Sequence, residues 1–188
     1  MKKQHTERIA LAAVAASAIV AASAIAEPIK LGGYYTVECI APDGSVKWTD
    51  TIQNLVTNAG KADALDKYLS GSAYTAAFYL GLMSSVSYTT GAAAGDTSAS
   101  HGGWTEDVTY SNATRPAVSW NAASAGSKAS TATAFNINGT ATIKGCFLIT
   151  NSTKSGTTGI LYSAGLFSGG DKAVANGDTL NVTYTATA

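Results

Sequence analysis

The segment YYTVECIAPDGSVKWTDTIQNLVTN, residues 34–58, alternates apolar and polar side chains on both sides of a single turn. In its first arm Tyr35, Val37 and Cys39 share one face. The second arm divides in the same way. Its apolar, or dry, face carries Val46, Trp48 and Ile52, and its polar face carries Lys47, Thr49 and Thr51. Alternation with a period of two is typical of a β-strand that buries one face. The segment therefore predicts a β-hairpin with Trp48 in the core.

The turn between the two arms is Ala41-Pro42-Asp43-Gly44. Pro42 fixes its own φ angle, Asp43 can hydrogen-bond to its own backbone, and Gly44 adopts conformations that strain other residues. The hairpin is therefore specified by turn and strand chemistry, and it carries no catalytic motif.

Short strand-like runs separated by turns fill most of the remaining chain. The run AYTAAFYLGLM, residues 73–83, predicts a central strand that is buried on both faces. Further runs of this type occupy residues 105–110, 115–120, 127–137, 141–150, 160–167 and 179–187. About eight or nine short strands at this spacing predict an all-β fold, a β-sandwich.

One short helix is predicted between the hairpin and the first apolar run. Thr57 or Asn58 can cap its start, and Ser70-Gly71 ends it. Three apolar residues at helical spacing form the face expected to plug one open end of the sandwich: Ala62, Leu65 and Leu69.

The charge of the chain limits its partners. Its 188 residues carry 12 Lys and Arg against 12 Asp and Glu, and the charged fraction of 13% is low. A net charge of zero gives no long-range field to attract nucleic acid or an anionic membrane. We therefore expect no nucleic-acid partner, and the low charge suits a surface packed against other protein chains.

Both cysteines, Cys39 and Cys146, fall inside predicted strands. A domain of this size does not need a covalent staple. We therefore expect two buried thiols that act as small hydrophobic residues, rather than a disulfide between the sheets.

Residues 1–26, MKKQHTERIALAAVAASAIVAASAIA, allow two interpretations. Basic residues followed by 18 uncharged ones and by Ala24-Ile25-Ala26 match a cleavable secretory signal. The same alanines are strong helix formers and predict a helical anchor with an apolar side. The candidate partner-binding residues of this anchor are Ile9, Leu11, Val14, Ile19, Val20 and Ile25. The run is too short and too weakly apolar to predict a membrane span.

Residues 27–33 predict a linker between this segment and a domain at residues 34–188. Pro28 and Gly32-Gly33 are expected to make a joint that frees the segment from the sandwich.

Candidate catalytic and metal-binding groups are few, and they cluster in the long loop predicted at residues 84–103. His101 lies there with Asp96 and Ser98, but three residues of one Gly/Ser-rich loop do not predict a positioned triad. Solvation explains the nearby carboxylates of Glu106 and Asp107 better than a metal does. We therefore expect no enzyme, no cofactor and no metal.

The same loop is a candidate for contacts with a partner, because long loops in compact domains are often functional. His101 and Trp104 are the candidate contact residues. The three tryptophans, Trp48, Trp104 and Trp120, are expected mainly in the core, and a sugar-binding platform is the alternative.

Several stretches of predicted strand and turn sequence are similar to those of one protein family. They are the hairpin, AFYLGLM, ASHGGWTE, SNATRPAVSW, IKGCFL and GTTGILYSAGLFSGGDKAVANGDTLNVTYTATA. Together they span about Leu31 to Ala188 and resemble small virion structural proteins of tailed bacteriophages. The resemblance implies a β-sandwich of immunoglobulin-like or related topology and no enzymatic activity, and it transfers no site residues.

The favoured hypothesis is therefore a capsid decoration, or cement, protein assembled in the host cytoplasm. Its expected partners are the major capsid protein or neighbouring virion subunits, and it is expected to be a homo-oligomer. Three alternatives stay open. One is a tail or fibre adhesin that binds host surface glycans through the 84–104 loop and Trp120. The second is a bacterial β-sandwich protein secreted after cleavage behind Ala26. The third is an enzyme that uses His101.

Overall fold

The computed structural model describes residues 30–71 and 77–188. The predicted anchor at residues 1–26, with its six bulky side chains, lies outside the described residues. The elements are β1 Gly32–Ile40, β2 Val46–Gln53, β3 Leu55–Val56, α1 Asn58–Leu69, β4 Tyr79–Ser84, β5 Glu106–Asp107, β6 Ser127–Ala129, β7 Thr133–Asn136, β8 Ala141–Ile149, β9 Leu161–Leu166, β10 Lys172–Val174 and β11 Thr179–Thr187. The described fold is all-β with one short helix, as predicted.

The strands form two antiparallel sheets. Sheet A has the order β2-β1-β11-β6, and β7 also pairs with β11. Sheet B has the order β3-β9-β8-β4-β5, and β10 also pairs with β8. The chain passes from sheet A to sheet B at Asn54, which lies between β2 and β3 and whose side-chain amide donates to the Tyr184 hydroxyl. A common core fills the space between the sheets and includes Tyr35, Phe135 and Leu148.

The predicted hairpin is present as β1 and β2, and its first arm has the predicted faces. Tyr35, Val37 and Cys39 are fully buried. The second arm differs, because a bulge after Cys39 pairs Ile40 directly with Val46. Val46 consequently lies outside the core with 54% of its surface exposed, so its assignment to the dry face was wrong.

Trp48 lies at the edge of the core and not inside it. It is half-buried, its ring packs edge-on against Phe167 at 5.4 Å, and its Nε1 donates to the carbonyl oxygen of Ala173. The next inward position of β2 is taken by Asp50, which is buried. The dry face of this strand is therefore only partly apolar.

The glycines predicted as a flexible joint belong to the sheet. Gly32 and Gly33 pair with Thr187 and Ala186 in the ladder between β1 and β11. A side chain at Gly33 would collide with the carbonyl oxygen of Thr185, so glycine is needed there for close strand approach. The predicted linker therefore ends before Gly32.

Sheet B is buried on both faces. The apolar run at residues 73–83 predicted this for its strand β4. β4 is shorter than that run, and residues 72–76 lie outside the described residues. Its outer face carries Met83 and Phe147, and the 85–105 stretch packs over it through Trp104. This stretch therefore forms a third layer, and Asp96 and Ser98 are buried in it.

The helix begins and ends where predicted, but the face that packs on the sandwich is the opposite of the predicted one. Thr57 caps it by accepting a hydrogen bond from the Gly60 amide, and Ser70 ends it. It packs on β9 through Gly60, where a side chain would collide with the Tyr162 carbonyl oxygen. The predicted plug is wrong, because Ala62 is exposed and Leu65 and Leu69 are 46% and 72% exposed.

Three predicted strands are less regular than expected. The 105–110 run contains only the two-residue strand β5. Residues 115–120 make only isolated bridges and backbone hydrogen bonds, such as the one from the Leu80 amide to the Pro116 carbonyl. The 127–137 run is divided into β6 and β7. Within the described residues, no helix is long and apolar enough to cross a membrane.

Both cysteines are free and buried, as expected. Burial, together with the nearby Asp178 carboxylate, raises the pKa of Cys39 to about 11. Burial also raises the pKa of Cys146. Both groups therefore remain thiols at neutral pH, with little nucleophilic character.

Asp50 joins the edges of the two sheets. Its carboxylate accepts hydrogen bonds from the Ser168 hydroxyl and the Gly169 amide and forms an ion pair with Lys172. Burial alone would raise the pKa of Asp50, but these donors outweigh it and lower the pKa to about 2. The charged form is therefore the one that the fold stabilises.

We expect Asp50→Asn to lower the free energy of unfolding by about 2 kcal/mol at neutral pH, because charge-assisted hydrogen bonds are lost. A depressed pKa contributes stability above the unfolded value near 4, and that stability is lost as the pH falls through about 2. The difference between the variant and the wild type should therefore shrink as the pH falls from about 5 to about 2.

Urea unfolding at several pH values measures this difference. Asp43→Asn is the matched control, because Asp43 lies in the exposed β1–β2 turn and asparagine also supports such a turn. An Asp50→Asn variant as stable as the control at neutral pH would contradict a stabilising role for the Asp50 carboxylate.

Candidate functional site

Trp104, one of the two predicted loop contacts, faces inward. Only 3% of its surface is exposed, and its ring packs against that of Phe147 at 5.4 Å. Its Nε1 donates to Asp96 Oδ2 at 3.1 Å. Trp104 therefore attaches the third layer to sheet B and lies in the core, so this candidate loop contact is not at the surface.

His101, the other predicted contact, is half-buried beside Trp104. Its ring stacks on the indole with a centroid distance of 4.0 Å. Its Nδ1 lies 3.0 Å from the Trp104 carbonyl oxygen. The structure therefore brings His101 and Trp104 together, in a packing arrangement that leaves only His101 near the surface.

The residues around His101 do not form a catalytic triad. Asp96 accepts hydrogen bonds from Trp104 and from the Ala93 amide. The Ser98 hydroxyl donates to the Thr158 carbonyl oxygen at 2.8 Å. Neither group is bonded to His101, as a triad requires. Among residues 30–71 and 77–188, no three His, Cys, Asp or Glu side chains are grouped so as to hold a metal.

A buried ion pair lies beneath this stacked pair, in a pocket of about 280 Å³. Arg115 donates through Nε and Nη2 to the two carboxylate oxygens of Glu106, at 2.9 and 2.8 Å. Arg115 Nη1 donates to the Asn151 carbonyl oxygen, and the Ser155 amide donates to Glu106. These contacts bind the 150–159 turn to β5, so the polar groups of the pocket have structural partners.

A second hollow, which we call the apolar cleft, lies at the end of the sandwich beside α1. It has a volume of about 380 Å³. Its apolar lining includes Ala64, Phe78, Val118, Trp120, Leu148 and Tyr162. Residues 72–76, which precede Ala77 at its edge, lie outside the described residues. Such a volume with mainly apolar walls is typical of binding sites.

The aromatic walls of the apolar cleft are rigidly packed. The Phe78 ring contacts Trp120 edge-on at 5.9 Å and Tyr162 edge-on at 5.6 Å. Burial, with Asp63 nearby, raises the pKa of Tyr162. Three charged residues also line the cleft, Asp63, Lys67 and Lys128, and Lys67 forms an ion pair with Asp63.

A shallower groove adjoins the cleft where the described chain begins. This terminal groove is lined by Leu31, Gly126, Lys128, Ala186 and Ala188, among others, and has a volume of about 280 Å³. It shares Lys128 and Ala186 with the apolar cleft. Residues 1–29 therefore join the sandwich immediately beside the cleft.

The outward side of α1 is also apolar. Leu65, Tyr68 and Leu69 are 46%, 82% and 72% exposed, whereas Asp63 and Gly60 face the body. Three large exposed apolar side chains on one short helix are typical of a contact surface. This outward stripe lies on the same helix as one wall of the cleft.

Sequence reasoning missed the cleft because its lining comes from distant positions. Phe78 was predicted only as part of a buried strand, and Trp120 only as core or as part of a sugar platform. The one local signal was the predicted helix, which does line the cleft. Its apolar residues Ala62, Leu65 and Leu69 were expected to face the sandwich, whereas they face outward.

Comparison with models of known protein families gave no match, and comparison with curated proteins gave none either.

We expect Arg115→Met to destabilise the protein by about 3 to 5 kcal/mol, because it leaves Glu106 buried without its ion-pair partner. The matched control is Lys144→Met, whose partner Asp171 is 40% exposed. The control should change stability by less than about 1 kcal/mol, since exposed ion pairs contribute little. Chemical denaturation measures both values, and equal values for the two variants would contradict a structural role for Arg115.

Proposed function

We propose that this protein is a non-enzymatic structural protein of a tailed-bacteriophage virion, and that it serves as a capsid decoration, or cement, protein. The observation that carries the proposal is the contrast between the polar and the apolar surfaces of the described residues. The buried polar groups hold the fold together, and the hollow beside the chain's entry point is apolar.

Nearly all buried polar side-chain atoms of the described residues have a hydrogen-bond partner. Among the described residues, one buried side-chain polar atom, Asn54 Oδ1, lacks a hydrogen-bond partner. The candidate catalytic groups Asp96 and Ser98 are used to pin the third layer, as described above. Asp96 and Ser98 are therefore engaged in holding the fold together, which agrees with a mechanical role.

The apolar side supplies the means of attachment. The apolar cleft and the outward stripe of α1 lie at one end of the sandwich, next to the junction with residues 1–29. The low charge of the chain also favours contact with other protein chains. The similarity of residues 31–188 to small virion structural proteins supports a phage particle as the place of assembly.

The same similarity supports a finer assignment of the fold, and we propose an immunoglobulin-like or related sandwich. Two antiparallel sheets over one core, with a crossing between them at Asn54, agree with this class. The expected virion partners are the major capsid protein or neighbouring copies.

One observation favours the adhesin as a second candidate. Trp120 is half-buried and lines the apolar cleft with three other aromatic residues, an arrangement that can stack on a sugar. Trp104 does not support this alternative, because it is buried.

The number of copies per virion tests the proposal. We expect hundreds of copies relative to the major capsid protein, because a symmetric shell repeats the same binding surface many times. Densitometry of stained gels of purified particles gives the ratio. A few copies per particle would favour the adhesin, and absence from particles would contradict a virion role.

The intact mass of the particle-bound protein is the companion measurement. We expect a mass that includes residues 1–26, since the anchor is part of the attachment. A mass that begins after Ala26 would favour the secreted alternative.

A further inference from the structure

We propose that the apolar cleft of one copy binds the N-terminal segment, residues 1–29, of a neighbouring copy. This inference rests on the proposed assembly function, because it names the partner of the anchor and the surface that receives it.

The first support is the position of the junction. Leu31 lines the terminal groove, which shares Lys128 and Ala186 with the apolar cleft. Gly32 pairs with Thr187, so the junction is fixed at the edge of this end of the sandwich. In an assembly, segments that leave at this end can reach the clefts of copies placed against it.

The second support is the rigidity of the junction. The predicted Gly32-Gly33 joint is held in the ladder with β11, so it is not a hinge. The segment therefore starts from a fixed point at this end of the sandwich, and a neighbouring copy placed against the same end brings its cleft within reach.

The third support is the match between the cleft and the segment. The cleft has aromatic and aliphatic walls and room for only a few side chains in its 380 Å³. Residues 9–26 are mostly alanine, with bulky Ile, Leu and Val residues at intervals. Alanine permits close backbone approach, and an isolated bulky side chain can enter the cleft. The outward stripe of α1 offers further apolar surface beside it.

The contact is heterologous, because the segment and the cleft are different surfaces of the same chain. Such contacts join copies head to tail, and they close into rings when the rotation between copies allows it. The inference therefore predicts self-association of the purified protein in the absence of any shell protein.

The first test compares two identical substitutions in the full-length chain, after intact mass has shown that residues 1–29 are present. Val118→Asp places a charge in the apolar cleft. Val46→Asp places the same charge at an exposed position beside the β1–β2 turn, away from the cleft. We expect Val118→Asp to raise the dissociation constant for self-association about tenfold or more, as measured by sedimentation, because burying a charge is costly. Val46→Asp should leave it unchanged.

A folded Val118→Asp variant that associates like the wild type would overturn the inference, and so would a wild-type protein that stays monomeric at all concentrations. If Val118→Asp does not fold, Ile19→Asp gives the same test, because it changes the segment and leaves the sandwich sequence intact. We expect Ile19→Asp to weaken association to a similar extent. An unchanged dissociation constant would overturn the inference.

The second test identifies which copy supplies the segment. Chains with Ala64→Cys at the cleft are mixed with differently tagged chains carrying Val14→Cys, and a short thiol-specific cross-linker is added. The native cysteines are buried thiols and should not react. We expect a cross-linked pair with both tags. Ser45→Cys in place of Ala64→Cys should give none, because Ser45 lies in the exposed turn at the opposite end of β1.

The outcomes separate this inference from the proposed function. Absence of a cross-linked pair with both tags would overturn the inference and leave a virion role untouched. Self-association through the cleft in a protein that is absent from particles would support the inference and contradict the virion role.

Discussion

The pairing of β1 with β11 is the interaction on which the rest of the structure depends. All nine residues of β1 pair with residues of the last strand, from Gly32 with Thr187 to Ile40 with Thr179. Because β1 also pairs with β2, it is an inner strand of sheet A, and its buried side chains contribute to the common core. This pairing joins the two ends of the described chain, so sheet A is incomplete until the last residues are made. It also fixes where residues 1–29 leave the sandwich.

The two ends of the sandwich differ in character as a result. The end with the β1–β2 turn carries polar contacts, including the ion pair between Lys47 and the buried Asp178. The opposite end carries the apolar cleft, the terminal groove and α1. The outer face of sheet B is closed by the 85–105 layer through Trp104 and Asp96. Among the described residues, Tyr68 and Leu69 of α1 at this end are 82% and 72% exposed, and under the proposed function a partner would cover them.

The sequence predicted the elements whose signals are local. Period-two alternation predicted β1, the continuous apolar run at residues 73–83 predicted β4, and Thr57 or Asn58 predicted the start of α1. It did not predict features set by distant residues. The bulge after Cys39 moved Val46 outward. Close contact of Gly60 with Tyr162 turned Leu65 and Leu69 to the surface, against their helical periodicity. The Arg115–Glu106 pair and the cleft join separate runs, and no local pattern records either one.

We propose that the copies are held in their assembly through the end of the sandwich that carries the cleft. Hydrogen exchange of the full-length protein, compared between purified particles and the free protein, measures which surfaces the assembly covers. We expect slower exchange on assembly in α1 and in peptides around Phe78 and Trp120, with little change in the β1–β2 turn. Protection confined to the 85–105 layer or to the β1–β2 turn would contradict it.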